Sequence, residues 1–249
     1  MNDLLSLLIL FGVGTIAGFI NVNAGGGSTL TLPALIFLGL DASVANGTNR
    51  IAILFQNASA VLSFKKESYQ HFPTSIKLSL FTLPGAVIGA LLSVRISDEL
   101  FETILGIIMI GIIITMLIPA KRKKFLDNPE GEQNWKTYLA MVGIGFYGGF
   151  IQVGVGFILM AVLHHLMKLN LIFVNMHKVF IVFIYSIPAI VIFALSNNIE
   201  WIPGLGLACG TSFGAWWGAK LSVKKGEKLI KVVLSVAVFI MSLKLLGVF

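Results

Sequence analysis

Apolar blocks with almost no charge follow one another along the whole chain, separated by short polar breaks. Four fall in the first half, at 4–39, 44–64, 75–95 and 100–118. Four fall in the second, at 137–167, 172–195, 202–221 and 229–248. Blocks of about 20 residues match one helix across a bilayer at about 1.5 Å rise per residue. The first block of each half is too long for that and is interrupted. The interruptions are Asn23-Ala24-Gly25-Gly26-Gly27-Ser28 and Gln152-Val153-Gly154-Val155-Gly156. Glycine holds a helix poorly. Non-helical backbone at membrane depth survives only where protein or a wet cavity covers it. Each first block is therefore expected to be a hairpin of two half-helices with its turn buried near the midplane.

The blocks also repeat. Gly14, Gly18, Phe19, Ile20, Val22 and Gly25 recur 131 positions later as Gly145, Gly149, Phe150, Ile151, Val153 and Gly156. Gly85, Ala86, Gly89, Ala90, Leu92, Ser93 and Val94 recur 129 positions later as Gly214, Ala215, Gly218, Ala219, Leu221, Ser222 and Val223. Two copies of a broken helix in a membrane protein point to a transporter with its site between the halves. The expected fold is an all-α polytopic membrane protein. It has two inverted repeats, each a broken-helix hairpin plus three transmembrane helices. The first repeat is 1–118, the linker 119–136 and the second repeat 137–249.

Composition agrees with this class. The chain is 57% hydrophobic and 12% charged, about half the charge of a soluble globule. The net charge of +7 is not a nucleic-acid signature, because the basic residues lie at segment ends, where orientation signals sit. The single cysteine, Cys209, excludes an internal disulfide and any Cys-rich metal site. The Met-Asn-Asp start lacks the basic region of a signal peptide, so the first block is expected to remain. If each hairpin returns to its starting side, 15 of the 18 Lys and Arg residues fall on or near one face. Only Arg50, Arg95 and Lys244 fall nearer the other. The positive-inside rule then puts the 119–136 linker in the cytoplasm and both termini outside, in a multi-pass membrane protein. A parallel duplication is the competing topology.

The acids sit away from the membrane interior. All eleven Asp and Glu residues fall in loops or within about a turn of a segment end. Carboxylates are the usual intramembrane ligands for cations and the usual proton relays, so their placement argues against a cation transporter. What lies within the blocks is neutral polar or cationic. The first half carries Asn21, Asn23, Ser28, Thr29, Asn46, Thr48, Asn49, Arg50 and Gln56. The second carries Gln152, His164, His165, Asn175, His177 and Lys178. Helices starting after Gly27 and Gly156 would aim free N–H groups and a positive dipole end at a cavity, which suits an anion. Planar Arg50 can grip a carboxylate, sulfite or sulfonate through two parallel hydrogen bonds.

Blander readings stand beside these. Gly85, Gly89, Gly106, Gly111, Gly214 and Gly218 suit close helix packing. Arg50 and Lys178 are near enough to segment ends to snorkel. His164 and His165 fit an interface, and Pro33 and Pro188 fit local kinks. His177 occupies the repeat position of Asn46.

The run Gly18-Phe19-Ile20-Asn21-Val22-Asn23-Ala24-Gly25-Gly26-Gly27-Ser28, with Pro33 and Ala45-Asn46-Gly47-Thr48-Asn49, resembles the TauE/SafE family of sulfite and organosulfonate exporters. The second-half run Gly148-Gly149-Phe150-Ile151-Gln152-Val153-Gly154-Val155-Gly156 is similar to that family's second glycine motif. The resemblance implies an inner-membrane permease exporting small sulfur-containing or carboxylate anions. The chain departs from the family where it carries Asn175-Met176-His177-Lys178 in place of a Gly-Thr-Ser stretch, and where Phe157 follows Gly156.

The combined expectation is a non-enzymatic secondary transporter of small anions such as sulfite, sulfoacetate or related sulfonates, working by alternating access. The substrate-binding residues are expected among Asn21, Asn23, Gly25, Gly26, Gly27, Ser28, Asn46, Thr48, Asn49, Arg50, Gln56, Gln152, Gly154, Gly156, His177 and Lys178. No P-loop motif occurs, and no cofactor or metal is expected. The expected partners are a small anion and the bilayer, with a homo-oligomer compatible and nucleic acid excluded. Alternatives are a passive anion channel and a metal-binding protein using His164, His165 and His177.

Overall fold

The computed structural model describes residues 4–69, 71–116 and 128–245. Among these residues the elements are helices joined by short connections. They are α1 (Leu4–Ala24), α2 (Ser28–Phe37), α3 (Ala42–Lys66), α4 (Phe72–Ser93), α5 (Asp98–Met116), α6 (Trp135–Phe150), α7 (Val155–His165), α8 (Leu171–Leu195) and α9 (Trp201–Leu245). Residues 117–127, with half of the expected linker and its Lys121, Arg122, Lys123 and Lys124, lie outside the described residues. So do residues 246–249. By length and composition, α1, α4 and α8 are the helices among the described residues able to cross a membrane.

One expectation needs correction. The hairpin arms are unequal: α1 has 21 residues and α2 has 10, about 30 Å against 15 Å. The first arm is span-length and only the second is a half-helix, because α1 holds an unbroken apolar run up to Asn21. The last two blocks are two helices, as expected: α9 is broken at Gly226, whose φ of 65° and ψ of −163° would strain a residue with a side chain.

Packing is set by small residues and crosses between the halves. A Cβ on Gly18 would lie 2.2 Å from the Thr211 carbonyl oxygen, and one on Gly214 would lie 1.9 Å from that of Thr15. α1 therefore lies backbone to backbone on the 201–225 arm of α9, with residue numbers rising together. The same relation joins α4 and α6: Gly145 meets Thr82 and Gly149 meets Ala86, at 2.0 and 2.1 Å on the same measure. α3 runs with the 201–225 arm too, since the Ser59 and Ser63 hydroxyls donate to the carbonyls of Ser212 and Trp216 at 2.8 and 2.9 Å. α3 and α8 run in opposite directions. Arg50 stacks on Phe193, Ile53 and Asn57 face a hollow with Val182 and Lys178, and Phe64 shares a pocket with Met176. Gly106 and Gly111, expected to pack, have nothing within 4 Å of a would-be Cβ, because α5 lies at the edge of the bundle.

The two ends differ in charge. At one end Lys66 lies over the Trp216 ring, Lys77 donates to Gln133, and Lys168 pairs with Glu132 at 2.6 Å. At the other end lie Asp41, Asp98, which accepts from the Ser43 N–H, and Glu200, whose N–H donates to Thr48 Oγ1. Among the described residues no Asp or Glu is buried. Large apolar side chains such as Leu8, Ile16, Leu80, Ile88, Leu139 and Val191 are exposed on the outer faces, as lipid-facing surfaces require.

Candidate functional site

The two helix breaks touch. A Cβ on Gly25 would sit 2.4 Å from the Gly156 carbonyl carbon, and one on Gly156 would sit 2.4 Å from the Gly25 carbonyl oxygen. Gly25 has a φ of 87°, which favours glycine. The repeat-related residues 25 and 156 therefore meet backbone to backbone, where no side chain fits.

Beside that contact lies a small hollow lined by Asn21, Gly25, Ser28, Asn57, Gln152, Gly156 and Lys178, with Ile53, Val155 and Val182 as its apolar walls. Two helices begin at it, α2 at Ser28 and α7 at Val155. The N–H groups of Thr29, Leu30, Val155 and Phe157 donate to nearby carbonyls and that of Gly27 to Asn21 Oδ1, which leaves those of Ser28 and Gly156, and the start of a helix carries a partial positive charge. Gln152 is held in the left-handed region at φ 62°, a conformation uncommon for a residue with a side chain. Its Oε1 accepts from Arg50, while its Nε2 is buried with no partner. Lys178 is buried and is the titratable side chain of the lining. As it stands the hollow is constricted, with room for about one water-sized sphere. The donor set is cationic and amide-rich and contains no carboxylate, which favours an anion.

Six of the expected site residues, Asn21, Gly25, Ser28, Gln152, Gly156 and Lys178, come together here. The others lie outside its lining. Gly26 lies under the Phe157 ring, and Gly27 packs on Ala17 and Asn21. Gly154 forms the positive-φ turn before α7. Asn23 donates to the Phe19 carbonyl, and Asn46 to Ser93 and to the Phe150 carbonyl. Thr48 accepts from the Glu200 N–H. Asn49 Oδ1 and Gln56 Nε2 are buried without partners. His177 Nε2 donates to the Pro129 carbonyl and its Nδ1 pairs with Ser75, so it braces α8 against α4 and the 128–134 segment. Among the described residues no group of three His, Cys, Asp or Glu is placed to hold a metal ion. Asn57 is a lining residue that the sequence pattern does not single out.

Arg50 is outside the lining. Its Nη1 donates to the Gly148 carbonyl and to Gln152, both at 3.0 Å. Its Nη2 donates to the carbonyls of Gly149 at 2.6 Å and Phe150 at 3.3 Å. Phe193 covers the guanidinium at 4.4 Å. Arg50 thus caps the carbonyl end of α6. Lys178 does the same for α1, donating to the Asn21 and Val22 carbonyls at 2.9 and 2.7 Å and to Asn175 Oδ1 at 2.9 Å. Cations are favoured at helix C-termini, and here each comes from the opposite half of the chain.

A family model described as Sulfite exporter TauE/SafE matches residues 10–245. Among curated proteins, the chain is 28% identical to "Probable membrane transporter protein ORF9" of a Sinorhizobium species, covering 97% of this chain and 92% of that one. It is 29% identical to a "Probable membrane transporter protein" of Haemophilus influenzae, covering 96% and 94%. It is 28% identical to "Probable membrane transporter protein YfcA" of Escherichia coli K12, covering 97% and 90%. No solved structure matches.

Proposed function

This chain belongs to the TauE/SafE family, and from that premise we propose that it is a secondary transporter of small sulfur-containing anions, such as sulfite, sulfoacetate or related sulfonates. The observation that carries the reading is the meeting of two helix breaks at Gly25 and Gly156, beside Lys178 and the unpartnered Gln152 amide. The anion sits in the hollow between the breaks. Its negative oxygens take the N–H groups of Ser28 and Gly156 and the Gln152 amide, with Lys178 supplying the full charge.

We further propose that the halves are inverted repeats, 1–118 and 137–249, related through the Gly25–Gly156 contact. The opposed run of α3 and α8, and the reciprocal pairing of α1 with α9 and of α4 with α6, support this. The basic end then faces the cytoplasm, by the positive-inside rule. The narrowness of the hollow fits a closed stage of an alternating-access cycle, in which the packed unit of α1, α3 and the 201–225 arm rocks against that of α4, α6 and α8 to admit and release the anion.

Two measurements test the proposal. A thermal-shift screen of purified protein against sulfite, sulfoacetate, taurine and short carboxylates should find an anion that raises the melting temperature; ligand at a hundred times its Kd stabilises by about 2.7 kcal/mol. Lys178→Met should remove that shift. No shift with any anion, or equal shifts with matched cations, would reject the site. Uptake into proteoliposomes loaded with unlabelled anion should show transient accumulation of labelled anion above its bath concentration (counterflow). A pore would only equilibrate it.

A further inference from the structure

We propose that Arg50 and Lys178 are the clasps of two opposed gates, one on either side of the hollow, and that the transport cycle releases them in turn. The inference rests on the transport reading above and adds to it which residues close which side.

The order of residues along the seam between α3 and α8 carries the argument. From the acidic end, the seam presents Arg50 stacked on Phe193, then the hollow with Asn57 and Lys178, then Phe64 and Met176 toward the basic end. Arg50 thus lies on the acidic side of the hollow. On the basic side of the lining, Lys178 is bonded to the last turn of α1.

Each clasp joins the α1–α3–α9 unit to the α4–α6–α8 unit, the parts that an alternating-access movement separates. Arg50, on α3 of the first half, grips the carbonyl end of α6 in the second half. Lys178, on α8 of the second half, grips the carbonyl end of α1 in the first. Among the described residues no buried carboxylate offers either cation another partner. Their countercharges are the negative ends of the two helices, and those partners are lost as soon as the helix end moves away. A buried cation left without its acceptors is strongly disfavoured, so each clasp holds its own side shut.

The clasps are not equivalent toward the cargo. An ammonium has three donors, and all three of Lys178 are used on Asn21, Val22 and Asn175. An anion that takes Lys178 must displace an α1 carbonyl, which loosens the basic-end gate directly. Arg50 faces away from the lining, so the anion reaches it only through Gln152, which bonds Arg50 and lines the hollow. Arg50 is in this sense a positioning residue.

The test reads accessibility without substrate, so its failure is distinguishable from a failed flux assay. A reporter cysteine, Asn57→Cys, is placed in the full chain with the exposed Cys209 changed to serine. Labelling by a membrane-impermeant anionic methanethiosulfonate is followed from each face of sealed vesicles. Arg50→Gln and Phe193→Leu should raise labelling about tenfold from the acidic face only, the population shift expected from losing one desolvated charge contact. Lys178→Gln and Asn175→Ala should do so from the basic face only. Phe193→Leu and Asn175→Ala each remove one contact and keep the cation, so they serve where the charge-removing variants do not fold. Increases from the same face for both sets, equal increases from both faces, or unchanged labelling in the folded variants would overturn the proposal.

Discussion

At Gly25 and Gly156 two backbones occupy the space that a side chain would need, and this fixes what each glycine costs to replace. Gly25→Ala meets the Gly156 backbone and also a positive φ. It should lose about 1–2 kcal/mol to strain and a further 1–3 kcal/mol, roughly, to overpacking. Gly156→Ala suffers the second loss alone. Gly39→Ala has a φ of 95° but open space, so only the strain of about 1–2 kcal/mol applies. Gly106→Ala, exposed on α5 with open space around it, should be neutral or gain up to about 1 kcal/mol of helix propensity. Melting temperatures of the four purified variants should therefore fall in the order 106, 39, 156, 25. The glycine clusters were legible as breaks because three adjacent glycines damage a helix beyond what packing requires. The partners of Arg50 and Lys178 were not legible. A backbone carbonyl at a helix end leaves no mark on the sequence, so a buried cation reads as a substrate ligand until its acceptors are located. Asn57 escaped for the opposite reason: one amide in a buried helix, bonding its own backbone at Ile53, breaks no pattern.

At the scale of elements, the molecule is held by two close parallel contacts, α1 on the 201–225 arm of α9 and α4 on α6. Helices approach this closely in a membrane where small residues let backbones touch, and the repeated glycines supply that surface. The face matters more than the residue type. Gly18 and Gly149 point at the Thr211 and Ala86 carbonyls, at 2.2 and 2.1 Å from a would-be Cβ, whereas Gly12 and Gly143 on the same two helices face open space. Gly18→Ala and Gly149→Ala should each destabilise by about 1–3 kcal/mol, seen as lower melting temperatures in detergent. Gly12→Ala and Gly143→Ala should not, and equal losses at all four sites would mean the contacts are misplaced. The apolar blocks foretold where most helices lie, because length and hydropathy decide that. The unequal arms of the first hairpin were not foretold, since an apolar run does not say which side of its break carries the longer helix. The break between the last two blocks was legible, because Gly226 in a lysine-rich stretch interrupts the apolar pattern, and one residue makes the turn.

At the scale of the whole molecule, the remaining question is whether the halves face opposite ways across the bilayer. The charge count favours that arrangement, because only returning hairpins gather the lysines at one end. The packing now adds an independent argument: α3 runs with α1, α8 runs against α3, and α1 and α3 both lie on the first arm of α9. The decisive comparison is between two equivalent connections. Residues 67–71 join α3 to α4 in the first half, and 196–200 join α8 to α9 in the second. A parallel duplication would bring both out on one face of the membrane. Inverted halves bring them out on opposite faces, with Lys65 and Lys66 beside the first and Glu200 within the second. Single cysteines at Ser68 and Asn197, both at exposed positions, in a Cys209→Ser chain, should be labelled by an impermeant maleimide from opposite sides. Ser68 should react from the cytoplasmic side and Asn197 only from outside. Labelling of both from one side would remove the pseudo-twofold relation, and with it the reason for two helix starts to meet around a single anion.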